Sequence, residues 1–144
     1  MKICQRGWEY AQISDETGTV EICSWATANY QPIGSLSNNS MYEIWHGEKA
    51  EKFRDSLRDG SYRYCEKQRC PWMANGTLGD HMKEYDEATE YPMDLSLSYE
   101  RACNYRCTCW ADSETCGAAR SKDALEIQKI IEKTLVFKFL ACTI

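Results

Sequence analysis

The sequence lacks the features that mark several common protein classes. No apolar stretch approaches the roughly 20 residues that cross a bilayer, and the N-terminus, MKICQRGWEYAQ, lacks the apolar run of a signal peptide. No dense Lys/Arg run is present to neutralise nucleic-acid phosphates, and the formal net charge is −5. We therefore expect a cytoplasmic protein that binds neither membrane nor nucleic acid.

Several catalytic signatures are missing as well. The sequence has no phosphate-binding glycine loop, no nucleophile elbow and no thioredoxin-type Cys-x-x-Cys. His46 and His81 are the only histidines, and neither stands at metal-ligand spacing from a cysteine pair. The acidic run between Asp80 and Glu90 is typical of a solvated connector. These absences argue against a hydrolase or a kinase.

Cysteine, in contrast, is abundant. Hydrophobic residues make up 43% of the chain and aromatic residues 12%, which is enough for a globular core, but 144 residues bury only a modest one. Clustered thiols in a cytoplasmic protein indicate metal ligands before they indicate disulfides. The nine cysteines are Cys4, Cys23, Cys65, Cys70, Cys103, Cys107, Cys109, Cys116 and Cys142.

The first half of the chain begins with a strand pattern. Two alternating runs, residues 8–13 and 19–25, flank a turn-forming stretch that ends at Gly18. Glycine can adopt the positive φ that such a turn needs. The pattern predicts a β-hairpin with Cys23 on its second strand.

A helix follows the hairpin. Ser40 and Glu43 have the spacing of a capping box, in which each side chain satisfies a backbone N–H at a helix start. Apolar residues then recur at helical spacing as far as Leu57. Gly47 is expected to divide the helix into two pieces, and Gly60 to end it.

Four cysteines of the first half form one candidate site. Four thiolates close a tetrahedral zinc site or fully ligate a [4Fe-4S] cluster. Cys65 and Cys70 are separated by four residues, so one loop can bring both to one centre, and Pro71 stiffens its exit. Cys4 and Cys23 would approach from the hairpin side. The residues alone leave zinc and iron–sulfur both open.

The order of these features resembles the SPASM domain, the auxiliary cluster-binding module of radical SAM peptide-modifying enzymes. The resemblance covers about residues 1–73 and implies an auxiliary [4Fe-4S] cluster that supports electron transfer or substrate engagement. The matching features are Cys4, Gly18 and Cys23, then Ile-Gly-Ser-Leu at 33–36, Glu-Ile-Trp at 43–45, Asp59-Gly60, and Cys65 to Cys70-Pro71.

A second cysteine group resembles the radical SAM cluster loop, in which three cysteines hold a cluster that binds S-adenosylmethionine. Here the three are Cys103, Cys107 and Cys109, and the last stands one residue earlier than in the family's CxxxCxxC, where Trp110 is found. Cys116 is a candidate fourth ligand. The group is read as a catalytic cluster site, a structural four-thiolate site, or thiols that bind nothing.

We expect an α+β fold in which a small SPASM-like β-hairpin-plus-helix half is followed by a single βαβ-like radical SAM remnant. Residues 1–75 are assigned to the metal- or cluster-binding domain, residues 76–92 to a connector and residues 93–144 to the partial radical SAM-like segment. In that segment a strand is predicted from Met93, a helix from Ser121 and a strand from Val136.

The leading functional hypothesis is an iron–sulfur or metal-binding auxiliary module. It would not be a complete enzyme alone, because a radical SAM domain needs several more βα units. The first alternative is a radical SAM subunit that cleaves S-adenosylmethionine. The second is a zinc-stabilised adaptor that binds a peptide. The expected partners are a peptide substrate or a radical SAM partner chain.

Overall fold

The structure is a computed structural model, and it describes residues 2–15, 17–27, 30, 32–97, 126, 129 and 130. Helices and sheets are mixed, so the expected α+β class is confirmed. In chain order, the helices and strands are β1 (Lys2–Cys4), α1 (Arg6–Glu9), β2 (Tyr10–Ile13), β3 (Thr19–Glu21), β4 (Gly34–Ser35), α2 (Met41–Trp45), α3 (Glu48–Arg58), α4 (Pro71–Ala74), β5 (Met82–Glu84) and β6 (Asp94–Leu97). A 3₁₀ helix (Leu78–His81) lies directly before β5.

The predicted hairpin is formed by β2 and β3, which pair antiparallel. Its turn is organised by Asp15, whose carboxylate accepts the backbone N–H groups of Thr17 and Thr19, each at 3.0 Å. Two details differ from the prediction. The first strand begins at Tyr10, because the preceding residues form α1, and Cys23 lies two residues beyond β3.

The strands form two sheets. The larger has the order β4-β3-β2-β6, and β6 pairs parallel with β2, with Ile13 opposite Leu97. The smaller joins β1 and β5 antiparallel, with Cys4 opposite Met82. Residues 76–92, which the sequence assigned to a connector, therefore contribute β5. The division into domains stays a prediction.

The helix signals are confirmed residue by residue. Ser40 and Glu43 form the capping box at the start of α2. Gly47 is the N-cap of α3, so the helical pattern is divided where the glycine predicted. The second piece ends at Arg58, and Gly60 adopts a φ of 71°, the left-handed conformation that ends many helices.

The core lies between the hairpin and the helices. Gly7 of α1 approaches α3 so closely that a Cβ atom on it would meet Leu57 Cδ1 at 2.7 Å. This close approach fixes α1, and with it the segment that joins β1 to β2. The largest fully buried apolar side chains are Trp8, Ile13, Val20, Ile22, Trp45, Phe53 and Leu57.

Little of the predicted βαβ segment beyond β6 falls in the described part. Glu126, Lys129 and Ile130 are helical, and Ile130 packs against the core. The rest of the helix predicted from Ser121, and the strand predicted from Val136, lie outside the described residues. None of the described helices has the length and apolar character that crossing a bilayer requires.

Candidate metal centre

Cys4 precedes the hairpin in the chain, and Cys23 follows it. Cys4 is the last residue of β1, and the backbone of Arg6 forms a hydrogen bond to its sulfur. Cys23 stands at the turn after β3, where the backbones of Trp25 and Ala26 form hydrogen bonds to its sulfur. Both side chains are buried, at 8% and 6% exposure. Backbone N–H groups therefore already face both sulfurs.

Cys65 and Cys70 belong to a loop that pairs with the Cys23 turn. Cys65 lies opposite Ala26 in an isolated antiparallel bridge, and the Glu66 N–H donates to the Trp25 carbonyl at 2.9 Å. The Cys70 N–H donates to the Glu66 carbonyl at 2.9 Å, which curls the four-residue gap into a helical turn. Cys70 is then the N-cap of α4. The gap thus brings both thiols to one side of the loop.

All four cysteines line one cavity, whose empty volume is about 330 Å³ including space open to solvent. Three of them are buried, Cys65 is half-buried, and none of the four is in a disulfide. No carboxylate or imidazole is among the described residues of the lining. An all-sulfur donor set suits zinc or an iron–sulfur cluster and does not suit Mg²⁺ or Ca²⁺. The other lining residues are Arg6, Trp25, Phe53, Leu57, Tyr62, Trp72, Met73 and Leu78.

The thiols are close enough to affect one another's ionisation. Burial raises the pKa of Cys4 and of Cys65 to about 12, and it also raises the pKa of Cys23. Negative charge on the neighbouring cysteines adds to this rise for Cys4, Cys23 and Cys65, and each pair among the four cysteines takes part in the effect. Without a bound cation, Cys4 and Cys65 are therefore protonated at neutral pH. A metal would take the place of their protons.

The described residues contain no group of three or more His, Cys, Asp or Glu side chains arranged to hold one metal ion. A single zinc ion needs four sulfurs that each lie about 2.3 Å from one point. The shared cavity and the mutual electrostatic effects of the thiols do not require such a closed arrangement. The structure thus places the four thiols together without closing a single-ion site.

Three residues of the cavity wall were missed by the sequence analysis. Arg6, Trp25 and Trp72 each stand two residues after a cysteine of the set, following Cys4, Cys23 and Cys70 respectively. This repeated spacing is a signal that the sequence did contain. A residue two positions beyond a ligand remains near the centre, so its side chain can form part of the wall.

The second cysteine group, Cys103, Cys107, Cys109 and Cys116, lies outside the described residues, as does Cys142. Whether these residues form a radical SAM cluster site therefore stays a prediction. His46 and His81 are both described, and neither lines the cysteine cavity. His81 stacks on Trp72, with ring centroids 3.9 Å apart.

Comparison with known families identifies the first half of the chain. Residues 4–71 match the model of the SPASM family, described as an iron–sulfur cluster-binding domain. The matched range contains all four cysteines of the cavity. No curated protein and no solved structure matches the chain. The chain therefore contains, over residues 4–71, a SPASM domain, which is an iron–sulfur cluster-binding domain.

Proposed function

We propose that the SPASM domain holds one [4Fe-4S] cluster through the thiolates of Cys4, Cys23, Cys65 and Cys70. The observation that supports this most strongly is the shared cavity, in which every pair of these thiols interacts electrostatically. Four thiolates are the full ligand set of such a cluster. An all-sulfur lining also suits zinc, so the choice of iron–sulfur rests on the family match.

Residues of the domain would also surround the cluster with hydrogen bonds and apolar side chains. Backbone hydrogen bonds to the sulfurs of Cys4 and Cys23 stabilise these atoms when they carry negative charge. Aromatic and aliphatic side chains such as Trp25, Phe53 and Leu57 limit contact with water. Hydrogen bonds to the sulfurs and solvent exposure are two of the factors that set a cluster's reduction potential. When bound, a [4Fe-4S] cluster with four thiolate ligands would supply one-electron transfer.

In this account the chain is an auxiliary module of a radical SAM peptide-modifying system in the cytoplasm, where thiols stay reduced. Its partners are a peptide substrate or a radical SAM chain. The chain alone does not cleave S-adenosylmethionine. Reduced protein mixed with S-adenosylmethionine is therefore expected to release no 5′-deoxyadenosine. Release of that product, abolished by Cys107→Ser, would instead make the chain a radical SAM subunit.

The ligand assignment is tested by anaerobic purification of the full chain and two serine variants. Cys65→Ser removes a proposed ligand, and we expect it to lose most of the bound iron and the visible absorbance of the cluster. Cys142→Ser is the matched control, because Cys142 is outside the proposed ligand set, and it should retain both. Equal iron in all three proteins would reject the assignment of Cys65.

A zinc site is the outcome that would replace the proposal. About one zinc per chain, with no sulfide, would indicate a structural four-thiolate site. Such a protein would be colourless, and a chelator would unfold it. That result would favour the adaptor hypothesis, in which a peptide binds to a zinc-stabilised fold.

A further inference from the structure

Arg6 lies at the cysteine cavity with its guanidinium group packed among three aromatic rings. Its Cζ atom is 3.9 Å from the ring centroid of Tyr10, 4.2 Å from that of Trp25 and 5.3 Å from that of Trp72. The two tryptophans pack edge to face, with centroids 5.5 Å apart. An aromatic face attracts a cation through its quadrupole. The three rings therefore hold the guanidinium group in place without neutralising its charge.

The charge of Arg6 has no acidic partner within the described part of the chain. Arg54, Arg58 and Arg63 each form an ion pair with a carboxylate, whereas no described acidic side chain pairs with Arg6. Among the described residues that line the cysteine cavity, Arg6 is also the only one with a permanent charge. An uncompensated positive charge thus stands beside the four thiols.

The positive charge of Arg6 acts on the cysteine cavity as a whole. Arg6 lines the same cavity as the four sulfurs, and the remaining described lining residues are aromatic or aliphatic side chains. Because a charge acts more strongly in apolar surroundings than in water, the guanidinium group favours negative charge on the nearby sulfurs. An anionic centre held by the same sulfurs would experience the same field.

We propose that Arg6 raises the reduction potential of the iron–sulfur centre, and that Tyr10, Trp25 and Trp72 hold its guanidinium group in the position where it does so. Arg6 is in this sense a tuning residue and the three aromatic residues are positioning residues, and the inference rests on the proposed function.

Reduction adds one electron to the centre from an external one-electron donor such as dithionite, while no covalent bond forms or breaks. The centre becomes more negative. A nearby cation in an apolar cavity therefore stabilises the reduced form more than the oxidised form.

The test is a redox titration of the anaerobically purified, cluster-loaded full chain, followed by the electron paramagnetic resonance signal of the reduced form. Four proteins are compared: the wild type, Arg6→Gln, Arg6→Lys and Lys52→Gln. Arg6→Lys keeps the charge. Lys52→Gln removes a positive charge from an exposed side chain on α3 that is paired with Glu48 and does not line the cavity.

Loss of the Arg6 charge should make reduction less favourable. We expect Arg6→Gln to lower the equilibrium constant for reduction about tenfold, which for one electron is a shift of about 59 mV to more negative potential. Arg6→Lys should retain most of the wild-type potential. Lys52→Gln should change the constant by less than about threefold, because an exposed charge is screened by water and salt.

The outcomes separate the inference from the function on which it rests. A wild-type protein without iron and sulfide would reject both. Loaded proteins in which Arg6→Gln keeps the wild-type potential, or in which Arg6→Gln and Arg6→Lys shift equally, would reject the role of the Arg6 charge alone. If Arg6→Gln fails to retain the cluster, retention by Arg6→Lys supports the need for a positive charge, and loss in both variants overturns it.

Discussion

The buried side chain of Arg54 donates a hydrogen bond from its Nε to the backbone carbonyl oxygen of Gly7 at 2.8 Å. Its Nη1 donates to the carbonyl oxygen of Trp45 at 2.9 Å. One residue of α3 therefore joins the end of α2 to α1. Since α1 follows Cys4 and begins with Arg6, this contact fixes the segment that carries a proposed ligand and the cation beside it.

Replacing Arg54 with methionine should destabilise the protein strongly. The variant leaves two buried carbonyl oxygens without their donors, and each such loss costs about 1–3 kcal/mol. We expect the free energy of unfolding to fall by about 3 kcal/mol, measured by chemical denaturation in one metal state. Arg63→Met is the control, because Arg63 is half-exposed and paired with Asp59 within four residues, and such pairs are worth about 0.5 kcal/mol. Equal losses in the two variants would refute the role given to Arg54.

Gly7→Ala should destabilise the packing of α1 against α3. The added Cβ would lie 2.7 Å from Leu57 Cδ1, well inside van der Waals contact, so the buried Leu57 side chain or the two helices must shift. Overpacking of this kind costs about 1–3 kcal/mol. Gly79→Ala is the matched control, because a Cβ atom there meets no atom within 4 Å. Unfolding experiments should show a loss for Gly7→Ala and little change for Gly79→Ala.

A double variant sharpens this prediction. If the contact with Leu57 causes the strain, Gly7→Ala should cost less in a Leu57→Ala background than in the wild type. Independent, additive losses would place the cause of the strain elsewhere.

The hairpin turn should give stability that depends on pH. Burial alone would raise the pKa of the Asp15 carboxyl, but hydrogen bonds from Thr19 and Thr17 together outweigh it and hold that pKa below its ordinary value. Because the folded pKa is depressed, the contribution is fully present above the unfolded pKa of about 3.9 and is lost as the pH falls through the folded value.

Comparison of the wild type with Asp15→Asn measures this effect. Their difference in free energy of unfolding should be constant at neutral pH and shrink below about pH 4, since the asparagine does not ionise. A difference that does not change with pH would contradict the depressed pKa of Asp15.

Local signals predicted the parts of this fold that depend on neighbouring residues. The capping box at Ser40, the interruption at Gly47 and the stop at Gly60 each follow from the backbone preferences of a few adjacent positions, and all three were found as predicted. The turn between the two hairpin strands was predictable for the same reason. Helix α1 was not, because four residues around Trp8 also fit a strand pattern.

The pairings that connect distant segments could not be predicted. Strand β5 joins β1 across most of the described chain, and β6 adds to the hairpin in parallel. Neither partner is encoded in the local alternation of apolar residues. The same limit applies to the site: the cysteines were identified by their spacing, whereas the arrangement of Arg6 among Tyr10, Trp25 and Trp72 arises from loops brought together by the fold.

The amounts of iron, acid-labile sulfide and zinc per chain test most directly whether four cysteines of this SPASM domain hold one four-iron cluster, as proposed. For the anaerobically purified wild type we predict about four irons and about four sulfides per chain, with little zinc. About one zinc per chain without sulfide would contradict the account.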